Sequence, residues 1–452
     1  MQLLAFARSR WAGLPPAARE TRRTVVPAAT RKSLLRRVGA VLATALMLGT
    51  FLVAGGGTAQ AADPDTHRLA TWNMQVGQDR WGGVRPLVRD NSVVALQEVP
   101  GNPPGGAVPL GTTNGIEGWQ WDLGRDGIRY VYIVRTPSRN VGIVTSFYPD
   151  RVMVIGGPYR PAVAVTRSDD NVLFASAHGS SGNGGVDVPT LLGNIATEAA
   201  NAGMPNWAVM GDFNRDPSTL TPANLPANAR IYNSGQATHQ GGNELDYMVS
   251  NVDTETWQAT VGVNRGSDHW PVHFGSLQGA LGPQQLSVTA DISGRNLDVN
   301  YASTDDGAQV IQHSDNDGSN QRWELWRTAH TAADGDPLYR IINRATPKCL
   351  DVDNGQHSGP GDYLNIWTCH AQDGPDEGGG PSVDTQNWTL EHPVAHMPNL
   401  TLLRNNATGL YANIGEEVTG DGGWVIQWLG PEGGAAPAAN EIFYLHPTVR
   451  NE

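Results

Sequence analysis

The stretch WAVMGDFN, residues 207–214, decides how this chain is read. Trp207 to Met210 form an apolar run of strand type, and it stops at Gly-Asp-Phe-Asn, a turn carrying a carboxylate and an amide. Strand ends are where a rigid sheet aims side chains at one point. The same arrangement recurs on either side. Leu69–Thr71 leads into Trp72-Asn73, Val93–Leu96 into Gln97-Glu98, and Val172–Ala177 into His178. Leu245-Asp246-Tyr247 and Ser267-Asp268-His269 follow. Each signature is common alone, but six in one order between residues 72 and 269 make a pattern.

That inventory suits hydrolysis of a phosphate ester with a hard divalent metal. Oxygen ligands hold the ion, a histidine handles the water proton, and other donors hold the phosphoryl oxygens. Glu98 is the expected metal ligand, with Asn73 adding a neutral oxygen and Asp268 a second carboxylate. Mg²⁺ fits because it keeps several waters and needs few protein ligands, with Mn²⁺ and Ca²⁺ as alternatives. No Cys/His cluster has zinc spacing. His269 is expected to act as general base or proton relay, oriented by Asp246. Asp212 would polarise the nucleophile, Asn214 would hold a phosphate oxygen without adding negative charge, and His178 would donate from the opposite side.

Charge is unevenly spread over the 452 residues. Only two lysines occur, so positive charge is almost all arginine. Residues 1–62 carry +8, 63–275 carry −6, and 276–452 carry −15. A basic segment ending at Arg36-Arg37 runs into apolar Val38–Ala54 and a Thr58-Ala-Gln-Ala-Ala exit, so residues 1–62 read as a secretory leader. The protein is therefore expected outside the cell, where Cys349 and Cys369 would bridge. A balance of −6 is a poor match to tight, sequence-independent duplex binding, which relies on many basic contacts.

The chain resembles the endonuclease/exonuclease/phosphatase superfamily that includes deoxyribonuclease I. Within it, the chain most resembles the catalytic B subunits of cytolethal distending toxins. LATWNMQ (69–75), ALQEV (95–99), MPNWAVMGDFNRDPSTL (204–220), ATHQGGNELDY (237–247) and SDHWPVHF (267–274) carry the likeness, over roughly residues 66–275. The resemblance implies a four-layer αββα sandwich over residues 63–275, and it places Arg135, Asn140 and Arg160 near the phosphate cleft. The deoxyribonuclease I pattern pairs the first histidine with a glutamate that has no convincing counterpart here; Asp122 is the one candidate. Asp187 to Ala202 reads as the clearest helix, stopped by Gly203.

Residues 276–285 contain Gly and Pro without a strong period and read as a linker. From 286 to 452 the chain repeats loosely three times. Asn296-Leu297-Asp298-Val299 and Asn320-Gln321-Arg322-Trp323 mark the first copy, Cys349-Leu350-Asp351-Val352 and Gln386-Asn387-Trp388 the second. Gly409-Leu410-Tyr411-Ala412 and Asn440-Glu441-Ile442-Phe443 mark an eroded third. Units near 50 residues, each too small to bury its own face, imply one shared core. The pattern resembles the ricin B-type β-trefoil lectin, which implies an all-β trefoil and glycan contacts. These would fall to Asp298 and Asn320, to Asp351 and Trp367, and to Trp428 and Asn440. On this alignment Tyr411 takes the Asp position of the third lobe.

The leading expectation is a secreted metal-dependent phosphodiesterase, a DNA endonuclease, with a carbohydrate-binding module behind it. A phosphoinositide or other phosphomonoester phosphatase is the alternative, with phosphorylated lipid as substrate. A carbohydrate-binding protein with a dead first domain is a further alternative. No partner chain is evident from the sequence, and the linker implies that the two modules act separately.

Overall fold

In the computed structural model, β1 (Leu69–Asn73) and β2 (Val93–Val99) run in parallel, Leu69 beside Val93 and Asn73 beside Gln97. Every residue of β1 is buried, as expected of a strand covered on both faces, and its polar Thr71 and Asn73 are hydrogen-bonded inside. The structure describes residues 67–447 except 138, 253–256, 277, 280–281, 284, 354, 371–383 and 432–434. The expected leader lies outside the described residues.

Along the chain follow β3 (Val108–Thr113), β4 (Ile116–Asp122), β5 (Ile128–Val134), β6 (Asn140–Thr145), β7 (Arg151–Ile155) and β8 (Ala162–Arg167). Then come β9 (Val172–His178), β10 (Asn206–Asp212), β11 (Arg230–Tyr232), β12 (Asp246–Ser250), β13 (Trp257–Val261) and β14 (Val272–Ser276). One sheet has the order β13-β14-β1-β2-β6-β5-β4-β3, the other β11-β12-β10-β9-β8-β7. They share a core in which Leu69, Ala95 and Ile143 meet Val165, Phe174 and Met210. The parallel pair β1–β2 lies against the parallel pair β9–β10, so four strands end at the same edge of the core.

A helix packs on each sheet's other face, α1 (Trp81–Asp90) on the first and α2 (Val188–Asn201) on the second. The sequence pattern shows α2 clearly, and its Leu191, Leu192 and Ile195 lie against Leu173 and Val209. It ends as expected, Gly203 adopting φ +75° while Met204 N–H bonds back to Ala199 O. Helix α1 covers the first sheet with Val84, Leu87 and Val88. Its sequence argues against it, since Gly82, Gly83 and Pro86 all disfavour helix. Packing overrides that bias. A Cβ on Gly83 would stand 2.8 Å from the Trp72 ring, so a glycine there lets the helix lie directly on the sheet.

The second half is a closed antiparallel sheet around Leu297, Trp323, Leu350, Trp388 and Phe443. Trp323 Nε1 donates to Leu297 O and Trp388 Nε1 to Leu350 O, both at 3.1 Å, which repeats one tie in two lobes. Phe443 fills the third place without that donor. Cys349 and Cys369 are bridged. The expected linker holds two short paired segments, Gln278–Gly279 and Gly282–Pro283.

Strand register corrects the third lobe. Asp298 pairs with Ile311 and Asp351 with Asn365, and the equivalent of both is Asn413, which pairs with Ile426. Tyr411 faces Trp428 just as Cys349 faces Trp367 and Asn296 faces His313. The alignment that gives Tyr411 the Asp position is thus two residues out, because this lobe lacks the Gln-x-Trp that sets the frame in the other two.

The two halves are packed together. Asn399 Nδ2 donates to Trp257 O at 2.7 Å, Ile231 N–H to His396 O at 2.8 Å, and Met397 joins the core beneath α2. His446 Nδ1 donates to Ala259 O at 2.8 Å from a buried ring. Burial pushes the His446 pKa down to about 4, the bond to Ala259 opposing it only in part. The unfolded chain takes that proton near pH 6.5, so between pH 6.5 and 4 the unfolded state binds more protons. The stability His446 confers is full above pH 6.5 and lost as pH falls toward 4, about 3 kcal/mol in all. His446→Gln should be no more stable than the parent at pH 7.5. The gap should narrow on acidification to pH 4.5, as read by thermal melting; a constant gap would reject the assignment.

Candidate active site

The polar strand ends converge where the two sheets face each other. Asn73 Nδ2 reaches across from β1 to Asp212 Oδ2 on β10 at 2.9 Å. Gln97 makes a second tie, accepting from Thr71 Oγ1 and donating to Ser176 Oγ on β9, both at 3.1 Å. Asp212 is the hub. Its Oδ1 accepts Asn214 N–H at 2.8 Å, and its Oδ2 also accepts Asn214 Nδ2 at 3.1 Å. His178 Nε2 lies 3.4 Å and His269 Nε2 3.7 Å from the same oxygen. His269 Nδ1 is bonded to Asp246 Oδ2 at 2.7 Å, and that oxygen also accepts Thr238 Oγ1 at 2.8 Å. All four ionisable groups are buried.

Burial opposes charge on Asp212, but hydrogen bonding and charge from His178, then the charge of His269, outweigh it and hold the carboxyl down to about 2. Burial raises Asp246 to about 6, with His269 pulling the other way. His269 resists charging through burial, yet Asp246, Asp212 and Asp268 together raise it to about 9. These acids favour the protonated ring, and with Nδ1 bonded to Asp246, Nε2 is the nitrogen left to exchange a proton. His178 presents a buried Nδ1 with no hydrogen-bond partner among the described residues. Asp122 is not its missing carboxylate, since it accepts Gly124 N–H at an exposed turn; the carboxylate beside His178 is Asp212.

Glu98 sits where β2 slips register against β6, between Gln97 and Val99, with φ +49°. Such a bulge re-aims a side chain at a sheet end. Its Oε1 is 2.9 Å from Arg139 Nε. Asn73 Oδ1 accepts Gln75 N–H at 2.9 Å, while Ser267 Oγ donates to Asn73 O at 2.7 Å and so brings Asp268 to the same edge. The donor atoms of Asp212, Asp246 and His269 lie within 4.8 Å of one another, close enough for a cation. The hydrogen bonds already on them favour proton transfer as their work.

The expected phosphate group divides. Arg160 lies beside the histidine, its Nη1 donating to Gly179 O. Arg135 has its fork filled by Glu117, at 3.1 and 2.7 Å. Asn140 closes a loop, donating to Val99 O and accepting Thr136 N–H. Asn214 spends its amide protons on Asp212 and Gly179 O. Sequence reasoning passes over Thr238 and His239, which sit inside the quoted ATHQGGNELDY segment. The His239 ring lies 4.7 Å from that of His269, its Nε2 3.9 Å from Asp268.

In the trefoil, Asp298 Oδ2 accepts Gln321 Nε2 at 2.9 Å and Asp351 Oδ2 accepts Gln386 Nε2 at 2.8 Å, both nearly buried. Trp367 and Trp428 are each close to half exposed. Asn320 Nδ2 reaches Val299 O at 3.4 Å, and Asn440 Nδ2 donates to Asn413 Oδ1 at 2.9 Å. A cavity of about 510 Å³ opens at the third lobe, lined by Tyr363, Asn413, Trp424, Trp428 and Asn440.

Residues 70–269 match the endonuclease/exonuclease/phosphatase family, and residues 266–367 match the ricin-type β-trefoil lectin domain-like family. The chain thus joins a phosphoric ester hydrolase domain to a ricin-type lectin-like domain. It is similar to the B subunit of the cytolethal distending toxin of Escherichia coli, 29% identical over 254 residues that span 47% of this chain and 92% of the relative. Among solved structures, the Haemophilus ducreyi cytolethal distending toxin aligns at 27% identity over 47% of this chain and 98% of that one, with a TM-score of 0.42. The designed three-fold symmetric protein ThreeFoil aligns at 28% identity over 36% of this chain and 99% of that one, with a TM-score of 0.29.

Proposed function

We propose that this protein is a secreted, Mg²⁺-dependent phosphodiesterase, a DNA endonuclease, with a four-layer αββα catalytic domain and a trefoil that binds glycans. The observation that carries the reading is the buried array His178–Asp212–His269–Asp246. Two histidines flank one ionised carboxylate, and one of them is oriented by a second acid. Such an array moves protons at a reacting centre. His178, with its unpartnered nitrogen, and Arg160 would hold a phosphoryl group from one side, while His269 exchanges a proton at Nε2 from the other.

The metal reading rests on donor chemistry. Asn73, Glu98 and Asp268 offer oxygen donors near one sheet edge, which suits a hard cation. Once bound there, Mg²⁺ supplies Lewis-acid polarisation of the phosphoryl oxygen. The basic-then-apolar leader supports export. Supercoiled plasmid with Mg²⁺, alongside phosphate release from inositol lipids, tests the substrate. Nicking is expected. Lipid phosphate release without nicking would replace the endonuclease reading with the phosphatase, and neither product would reject both.

For the trefoil, the third-lobe cavity supports sugar binding, since exposed Trp428 offers a stacking face and Asn413 with Asn440 a polar floor. Trp428→Ala should weaken glycan binding about tenfold or more without lowering plasmid nicking. An intact chain that retains no glycan on an array would leave the trefoil as a fold without that role.

A further inference from the structure

The loop joining β11 to β12, residues 233–245, is held by both halves of the molecule. At its base Glu244 gathers Asn233 Nδ2 at 3.0 Å, Ser234 N–H at 2.6 Å, Ser234 Oγ at 2.7 Å and Gly235 N–H at 3.0 Å. Tyr444, from the last strand of the trefoil, lies on this knot and is 4% exposed. Gly235 lies against its ring with φ +67°, and a Cβ there would come within 2.1 Å of a ring carbon. Only glycine allows so close an approach.

The other end of the loop reaches the proton-handling pair. Thr238 Oγ1 accepts Leu245 N–H at 2.9 Å and Asp246 N–H at 3.0 Å while donating to Asp246 Oδ2, the oxygen that meets His269. Gln240 N–H bonds to Asp268 O at 2.9 Å and Trp270 N–H to Thr238 O at 2.8 Å. A shift of this loop therefore moves both partners of the pair. A module that served for surface attachment alone would have no need of a buried ring against a catalytic loop.

We propose that the trefoil is a positioning element of the hydrolase: Tyr444 and Glu244 brace the 233–245 loop and thereby set the Asp246–His269 hydrogen bond. This rests on the reading of that pair as the proton carrier. A displacement of about 1 Å in a reacting group costs up to about 100-fold in rate, so a loosened brace lowers turnover more than substrate affinity.

The test uses the full chain, with bis(p-nitrophenyl) phosphate and Mg²⁺ for kinetics and the low-field proton resonance of His269 Nδ1–H for geometry. Tyr444→Ala should lower kcat about 10-fold with KM within about twofold, and should shift or broaden the resonance. Tyr444→Phe keeps the ring on Gly235 and should recover most of the rate and the resonance. Wild-type kcat and an unmoved resonance in Tyr444→Ala, whatever its melting temperature, would overturn the proposal. If that variant does not fold, Glu244→Gln carries the test, with kcat about 5-fold lower expected and unchanged kcat with an unmoved resonance overturning it. Should the parent protein hydrolyse no phosphodiester, the proposed reaction fails on its own. The resonance still decides the brace, moving in Tyr444→Ala if it exists and staying if it does not.

Discussion

His178→Ala and His269→Ala should each lower phosphodiester cleavage by about 10³-fold, and the double variant should be little worse than either. Both rings place Nε2 beside the same oxygen, Asp212 Oδ2, at 3.4 and 3.7 Å. Groups that share one carboxylate and one transition state act as a unit, and removing a second member of a unit costs little once the first has gone. The two deletions differ in what they leave behind. His178→Ala takes away a favourable partner of Asp212, whereas His269→Ala strands Asp246, a buried acid that then has only Thr238 Oγ1 on that oxygen. Asp246 without its partner would be protonated near neutral pH, so the fold should tolerate the change. Single-turnover cleavage of supercoiled plasmid, with circular dichroism as the folding control, reads all three. Losses that multiply in the double variant, or a loss below tenfold in either single one, would show that the histidines work in separate steps.

Much of this site was legible because the chain marks it by strand ends. Asn73, Glu98, His178 and Asp212 all follow apolar runs, and those runs form the two parallel pairs at the centre of the molecule. Pattern alone could not show what fills each donor and acceptor. Arg135 and Asn140 have the right chemistry for phosphate, yet Glu117 and the Val99 carbonyl occupy them, and neither contact is encoded near them in sequence. The helix at Trp81–Asp90 was hidden by its own composition, since close packing on Trp72 outweighs the propensity of two glycines and a proline. The interface between the halves was hidden by distance along the chain. Gly235 and Tyr444 say nothing separately, and the Gly/Pro segment near 280 suggests freedom that the buried contacts of Asn399 and His446 do not allow. A chain ending near Gly275 would uncover Trp257, Ile231 and Gly235, so its activity cannot be read as that of an undisturbed domain.

Glu98→Ala should lower Mg²⁺-dependent turnover by at least about 100-fold while leaving the fold intact, and excess EDTA should abolish the activity of the parent. The expectation of an intact fold follows from its surroundings. Glu98 is partly exposed at a bulge, it pairs with Arg139, and its backbone carbonyl still accepts Val76 N–H at 2.9 Å when the side chain is gone. An ion pair with one partner half exposed is screened by solvent, so its loss costs about 1 kcal/mol. Alanine also eases no strain at φ +49°, so a modest loss of stability is the upper limit there. The kinetic loss has a different origin. Asn73 is committed to Asp212 and to Gln75 N–H, and Glu98 directly follows Gln97, the residue paired with Asn73, so its carboxylate brings charge to that sheet end. Glu98→Gln keeps the size and one carbonyl oxygen but removes the charge, so it should need far more Mg²⁺ for half-maximal rate. A shift in the Mg²⁺ dependence of Glu98→Gln, with the saturated rate partly recovered, would separate a ligand role from a structural one. Undiminished nicking in EDTA, or a Glu98→Ala protein with parental rate at every Mg²⁺ concentration, would place the cation elsewhere, and the Asp212–Asp246–His269 cluster would then be the site to test.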